Sequence, residues 1–150
     1  MNQSSDRQWA REALATLKRE SARSADTHLL KVELPGFSGI DFYFKDEASH
    51  PSGSLKHRLA RSLFLYSLCN GRLHQGQTVV DASSGSTAIS EAWFARLLGL
   101  PFVAVMPACT APAKIRDVRA LGGECDLVDD PGQVHARAAE HARNGACHLD

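Results

Sequence analysis

Apolar positions recur with two different periods along this chain, and each change of period marks an element. In SDRQWAREALATLKRESAR, residues 5–23, Trp9, Ala13, Leu14 and Leu17 fall at helical spacing among arginines and glutamates. That predicts a first helix lying on a surface by one apolar stripe. THLLKVELPG follows as a short extended piece closed by Pro35 and Gly36. DFYFKDE, residues 41–47, alternates and is rich in aromatic side chains, the pattern of a strand. Residues 54–69 return to a helical pattern that stops at Asn70–Gly71.

From residue 78 the rhythm is regular. TVVDA (78–82), FVAVMP (102–107) and ECDLVD (124–129) predict strands, and ACHLD (146–150) opens another. Between them, three helices are predicted: STAISEAWFARLL (86–98), the stretch from Thr110 to Leu121, and Gln133 to Asn144. Gly99, Gly122–Gly123 and Gly145 stop them in turn. Strands alternating with helices through tight turns predict an α/β fold with a central parallel sheet and flanking helices. TVVDA and FVAVMP are unbroken apolar runs, as expected of strands covered on both faces. The expected division is an N-terminal helix and extended segment over 1–37, then an α/β domain over 38–150. The alternation is still running at the last residue. We therefore expect the smaller, amino-terminal part of a larger protein whose larger C-terminal domain is absent.

Composition narrows the function classes. The 150 residues are 43% hydrophobic, enough for one ordinary core. Seventeen basic side chains balance seventeen acidic ones, which leaves no electrostatic footprint for nucleic acid or an acidic membrane. The longest nearly apolar run, LLGLPFVAVMPAC, is too short to span a bilayer and holds two prolines. MNQSSDRQWAREA has no apolar signal core. Cys69, Cys109, Cys125 and Cys147 include no C-x-x-C pair. They are expected to be reduced, half-buried thiols, as suits a cytoplasmic protein.

Two junctions carry candidate chemistry. The first is PSGSLKHR, residues 51–58, where a flexible turn runs into a helix and puts Lys56 in its first turn. A cation is disfavoured at that end of a helix. His57, Arg58 and Arg61 are expected to make the local field more positive still. A lysine amine ordinarily titrates near ~10.4, and burial, a helix N-terminus and nearby cations all lower that value. A lysine tuned in this way forms a Schiff base with an aldehyde. The bland alternative is a solvated helix residue.

The second junction is DASSGSTA, residues 81–88, between a strand and a helix. Small residues let the backbone approach a ligand, and the helix start offers open N–H groups and a positive dipole end. Ser83, Ser84, Ser86 and Thr87 add hydroxyls around Gly85. The bland alternative is a plain turn with a serine helix cap. The loop is neither a Walker A loop nor G-x-G-x-x-G, which argues against nucleotides. The remaining candidates are weaker. S-x-x-K spacing is absent around Ser52 and Ser54, against a Ser–Lys hydrolase. His50 and His57 are expected to be surface or capping residues. His135, His141 and His148 fall on or after the last predicted helix without the spacing of a metal-ligand set, so no metal is expected. Asp129–Asp130 reads as a turn and helix entry, and Trp9 and Trp93 as packing residues.

Three motifs in order carry a resemblance over residues 27–150. FKDEASHPSGSLKHR resembles the K-x-E…N-P-x-G-S-x-K-x-R signature of the cysteine synthase and cystathionine β-synthase family, which are fold-type II pyridoxal-phosphate enzymes. SSGSTA is similar to that family's T-S-G-N-T-G loop. MPACTAPAKIRDVRALGGE resembles its M-P followed by a basic helix ending A-L-G-A. HPSGSLKHRLARSLFLYSLCNG and ASSGSTAISEAWFARLLGLPFVAVMP look closest to the L-cysteine desulfhydrase branch.

The resemblance implies a pyridoxal-phosphate-dependent lyase. Lys56 would hold pyridoxal 5'-phosphate as an aldimine and act as the base at the substrate Cα. Ser83, Ser84, Gly85, Ser86 and Thr87 would grip the substrate carboxylate. L-Cysteine would be cleaved by β-elimination to hydrogen sulfide, pyruvate and ammonia. Cysteine synthase-type β-replacement on an activated serine is the alternative in the same class. The complete enzyme would be a homodimer. An inactive fragment, or a module that binds carboxylate without cofactor, is the alternative outside it. Four positions depart from the family's pattern. Ser86 stands where the family has the Asn that meets the cofactor's phenolic oxygen. His50 replaces the Asn before the proline, His57 replaces the Asp after the lysine, and His28 replaces the proline of T-P-L.

Overall fold

A computed structural model describes residues 3–24 and 26–149. The first helix, α1 (Gln3–Ser24), runs slightly beyond its predicted bounds. Its Ala13 and Leu17 are buried, with Trp9 and Leu14 packed at their rim, so one stripe does attach it. Strands β1 (Leu29–Val32) and β2 (Phe42–Lys45) pair antiparallel as a separate two-stranded ribbon, Leu29 opposite Lys45 and Val32 opposite Phe42. The ribbon and its turn leave Leu29, Leu30, Phe37, Ile40, Tyr43 and Phe44 exposed.

The rest is a parallel sheet. Helix α2 (Lys56–Cys69) leads to β3 (Val79–Asp81), α3 (Ser86–Leu98), β4 (Phe102–Pro107), α4 (Pro112–Ala120), β5 (Glu124–Val128), α5 (Val134–Arg143) and β6 (Cys147–His148). Short 3-10 turns at Glu47–Ser49 and Pro131–Gln133 precede α2 and α5. The helix expected from Gln133 therefore opens as 3-10, with the Asp130 carboxylate accepting from the Gly132 N–H at 2.8 Å. Asp150, at the end of the expected last strand, lies outside the described residues.

Strand order is β5-β4-β3-β6. The chain steps outward from β3 to β5 and then returns to the other side of β3. Side-chain alternation divides the sheet into two faces. Val79, Phe102, Ala104 and Met106 join the larger core with α1, α2, α3 and α4. Val80, Val103 and Val105 meet Val134 and Ala138 of α5 on the other face. Both faces being covered is what makes FVAVMP a continuous apolar run. Gly99, at φ 68°, closes α3 in the left-handed conformation that only glycine adopts freely. Gly123 is needed for another reason: a Cβ there would lie 2.8 Å from Val118 Cγ1.

The thiols differ from expectation. Cys125 is half-buried and Cys147 buried, but Cys69, the last residue of α2, and Cys109, in the turn between β4 and α4, are exposed. No described helix is long and apolar enough to cross a membrane.

Candidate active site at the strand switch point

In an open α/β sheet, ligands bind beyond the strand carboxyl ends where strand order reverses. Here that point lies between β3 and β6, and the Asp81–Thr87 loop leaves β3 there. Gly85 is the residue that caps α3, with no side-chain cap, so the serine-cap alternative is not realised. The hydroxyls of Ser83, Ser84, Ser86 and Thr87 make no hydrogen bond among the described residues. Ser84 is exposed and the other loop positions are half-buried. The loop therefore presents unengaged hydroxyls and helix-start N–H groups, the donor set a carboxylate requires.

Lys56 is the first residue of α2, half-buried, with no acidic residue in that turn. The turn before it folds back through Gly53 N–H to the His50 carbonyl at 2.7 Å, with Gly53 at φ 74°. The Lys56 amide reaches Ser54 Oγ at 3.3 Å, while its side-chain amine makes no hydrogen bond or ion pair among the described residues. One contact brings the two junctions together. Ser52 Oγ, in the turn before Lys56, lies 2.8 Å from Ser90 Oγ, one helical turn beyond Ser86.

The surroundings of Lys56 differ from the expected uncompensated positive field. Arg58 meets the Glu47 carboxylate at 2.9 and 3.2 Å. Glu20, from α1, takes His57 at 2.8 Å and Arg61 at 3.2 Å. Cations brought under packed helices need partners, which exposed ones do not. Arg58, then Thr27 and His50, hold the Glu47 carboxyl at about 2. Thr27 Oγ1 donates to Glu47 at 2.7 Å and Lys45 donates to the Thr27 carbonyl at 2.8 Å, so the polar residues of FKDE stitch the ribbon to α2.

His50 and His57 are corrected from surface or capping residues to buried ones. His57 has no exposed area, and its ring stacks on His50 with centroids 4.9 Å apart. Burial pushes the His57 imidazole toward its neutral form, against the opposing pull of Glu20. The later histidines are also partnered. His141 Nε2 lies 2.6 Å from Asp126, beside Arg137, and His148 lies 3.8 Å from Asp81. Their carboxylate partners come from strands distant in sequence, Asp126 on β5 and Asp81 on β3. No three His, Cys, Asp or Glu residues among the described ones converge as metal ligands. A cleft lined by His74, Gln77, Thr78, His141 and Gly145 opens at the opposite, amino-terminal ends of β3 and β6, away from this chemistry.

Sequence reasoning missed Glu20 and Glu91. Each lies on its helix's apolar stripe: Ala13, Leu17, Glu20, and Ala88, Glu91, Ala92, Ala95. A polar residue in such register is the available signal. Glu91 is fully buried, and apart from its interaction with the Asp81 carboxyl its oxygens have no hydrogen-bond partner among the described residues. Burial, and then the charge of Asp81, raise its carboxyl well above the usual value of 4.5. Burial raises Asp81 as well.

A carboxyl raised in the folded state stabilises fully below its unfolded value. That contribution is lost as pH climbs past the unfolded value toward the folded one. Glu91→Met keeps an unbranched side chain of similar length without the charge. Urea midpoints should show the variant more stable at about pH 7 by about 1–3 kcal/mol. The difference should shrink towards about pH 5. A variant equally or less stable at both pH values contradicts the assignment.

The family model described as pyridoxal-phosphate dependent enzyme matches residues 23–149, and the chain belongs to that family. The chain is 52% identical, over 96% of its length and 40% of the relative's, to the L-cysteine desulfhydrase Cds1 of Mycobacterium tuberculosis. It is 41% identical to a putative cysteine synthase of Sinorhizobium fredii, over 69% of the chain and 30% of the relative. Among solved structures, a hydrogen sulfide-producing enzyme from Fusobacterium nucleatum superimposes with TM-score 0.75 at 26% identity, covering 81% of this chain and 41% of that one. The chain thus spans about two-fifths or less of the length of these relatives.

Proposed function

We propose that this chain forms the lysine-bearing wall of a pyridoxal-phosphate-dependent lyase that cleaves L-cysteine to hydrogen sulfide, pyruvate and ammonia. The observation that carries the reading is the 2.8 Å Ser52–Ser90 contact, which ties the Lys56 turn to the loop helix at the switch point. The residues fit the cofactor. Lys56 has an amine with no competing partner among the described residues, and the Ser83–Thr87 loop has open donors for a carboxylate.

When bound, pyridoxal phosphate supplies the electron sink for a carbanion at the substrate Cα. Lys56 would hold the cofactor through its aldehyde and would serve as the base at the substrate Cα. Ser83, Ser84, Gly85, Ser86 and Thr87 orient the substrate through its carboxylate. Ser86, in the first turn of α3, is also assigned to the cofactor's phenolic oxygen. The high identity to the desulfhydrase supports elimination. The likeness to a putative cysteine synthase supports β-replacement on an activated serine as the second reading. Product analysis with and without added sulfide separates the two. The exposed apolar side chains of β1 and β2 support a homodimer as the working state, and cysteines that form no disulfide among the described residues support a cytoplasmic setting.

The test is borohydride reduction of the protein mixed with pyridoxal phosphate, followed by peptide mass mapping. A pyridoxyl group on Lys56 in clear excess over other lysines is expected. Labelling spread over all lysines overturns the assignment.

A further inference from the structure

The Pro51–Ser54 turn is held by one continuous chain of hydrogen bonds reaching from α1 to α3. Glu20 Oε1 lies 2.8 Å from His57 Nε2. Ser52 Oγ lies 2.9 Å from His57 Nδ1 and 2.8 Å from Ser90 Oγ. Glu20, His57 and Ser90 are buried, and Ser52 is half-buried.

The direction of every bond follows from the first. A carboxylate accepts only, so His57 carries its proton on Nε2 and donates to Glu20. Nδ1 is then left with a lone pair, so Ser52 must donate to it. The Ser52 oxygen is free to accept, so Ser90 donates to Ser52. One proton arrangement satisfies all four groups, which is the condition under which a buried polar network specifies a single geometry.

The other groups facing His57 are consistent with a neutral ring. Arg61 on α2 and the stacked His50 oppose a second positive charge, while Trp93 and Phe94 of α3 present rings at 4.9 and 4.7 Å. Glu20 favours that charge but is shared with Arg61 at 3.2 Å.

We propose that Glu20, His57, Ser52 and Ser90 form a directional relay that positions the Lys56 turn against the substrate loop, making these four residues positioning residues for the reaction at Lys56. Ser52 precedes Lys56 by four residues, and Ser90 follows Ser86 by four. The Ser52–Ser90 bond therefore joins the lysine turn directly to the loop helix. The His57 tautomer fixes which way Ser52 points. The inference rests on the Schiff-base reading of Lys56.

The test has two arms on the full chain. Nitrogen-15 NMR of the unmodified protein should find His57 protonated on Nε2 and unprotonated on Nδ1 at neutral pH; the opposite tautomer overturns the relay without any variant. In the second arm, the rate of borohydride-trapped pyridoxyl formation on Lys56 is compared among wild type, Ser52→Ala and Ser52→Thr. Thermal melting is followed in parallel. Loss of positioning should slow Lys56 labelling in Ser52→Ala by about tenfold to a hundredfold. Ser52→Thr, which keeps the hydroxyl, should restore it. Lys56 labelled in wild type and at an unchanged rate in a folded Ser52→Ala overturns the positioning role alone. No label on Lys56 in wild type overturns the Schiff-base reading, and the positioning role falls with it.

Discussion

Lys56→Ala is expected to abolish sulfide release by the complete enzyme while leaving the fold intact. Lys56 is half-buried at the first position of α2, and its amine holds no other residue among those described. Its removal breaks no contact that the helix needs. Alanine is the better helix former, and removing a cation from a helix N-terminus is worth about 0.3–1 kcal/mol. The melting temperature should therefore stay level or rise. Under the proposed role of Lys56, activity should collapse, because the proton at Cα would lose its base. A positioned general base contributes about 10²–10⁴-fold, and loss of the covalent anchor adds to that. Sulfide release measured beside a thermal melt checks both halves. Turnover within about tenfold of wild type would remove Lys56 from the chemistry.

The second large effect is on stability. Phe94→Ala should lower the unfolding free energy by about 3–5 kcal/mol. Phe94 is fully buried in α3, and its ring meets those of His57 at 4.7 Å, Trp93 at 4.9 Å and Phe64 at 6.0 Å. These come from α2 and α3, so no single side-chain movement can fill the gap. A domain of this size has about 5–15 kcal/mol in total, which makes the loss readable as a shifted urea midpoint. Tyr66→Ala on the outer face of α2 is the control, expected within about 0.5 kcal/mol, because Tyr66 is exposed. Equal effects from the two substitutions would mean that α2 and α3 do not pack as described.

The elements were legible where punctuation and burial agree. Residues 86–98 and 102–107 match α3 and β4 at both ends, because Gly99 stops the helix and both faces of the strand are apolar. Agreement weakens at strand ends, where central β3 spans Val79–Asp81 against the predicted 78–82. β5 ends one residue short of its prediction and β6 spans only Cys147–His148, since edge positions lack a neighbour to extend the ladder. Pro131 converts the start of the last helix to 3-10. The pairing of β1 with β2 into a ribbon apart from the main sheet was not visible either, because partner choice is a tertiary matter.

The candidate site divides in the same way. Lys56 and Ser83–Thr87 could be found from residue type beside a glycine-bearing turn. The carboxylates could not, because Glu20 lies 37 residues from His57 and Glu47 lies 11 from Arg58. Local reading therefore counted three cations around Lys56 and none of their counter-ions.

The unengaged hydroxyls of the loop bear on how such a protein changes over generations. Ser83, Ser84, Ser86 and Thr87 hold up nothing among the described residues, so selection can exchange them without endangering the sheet below. Folding constrains this loop little and the layer beneath it strongly, where Phe94 is fully buried and a Cβ at Gly123 would clash with Val118. A scaffold partitioned in this way can acquire a new substrate by altering a handful of loop atoms, without refolding the sheet that carries them.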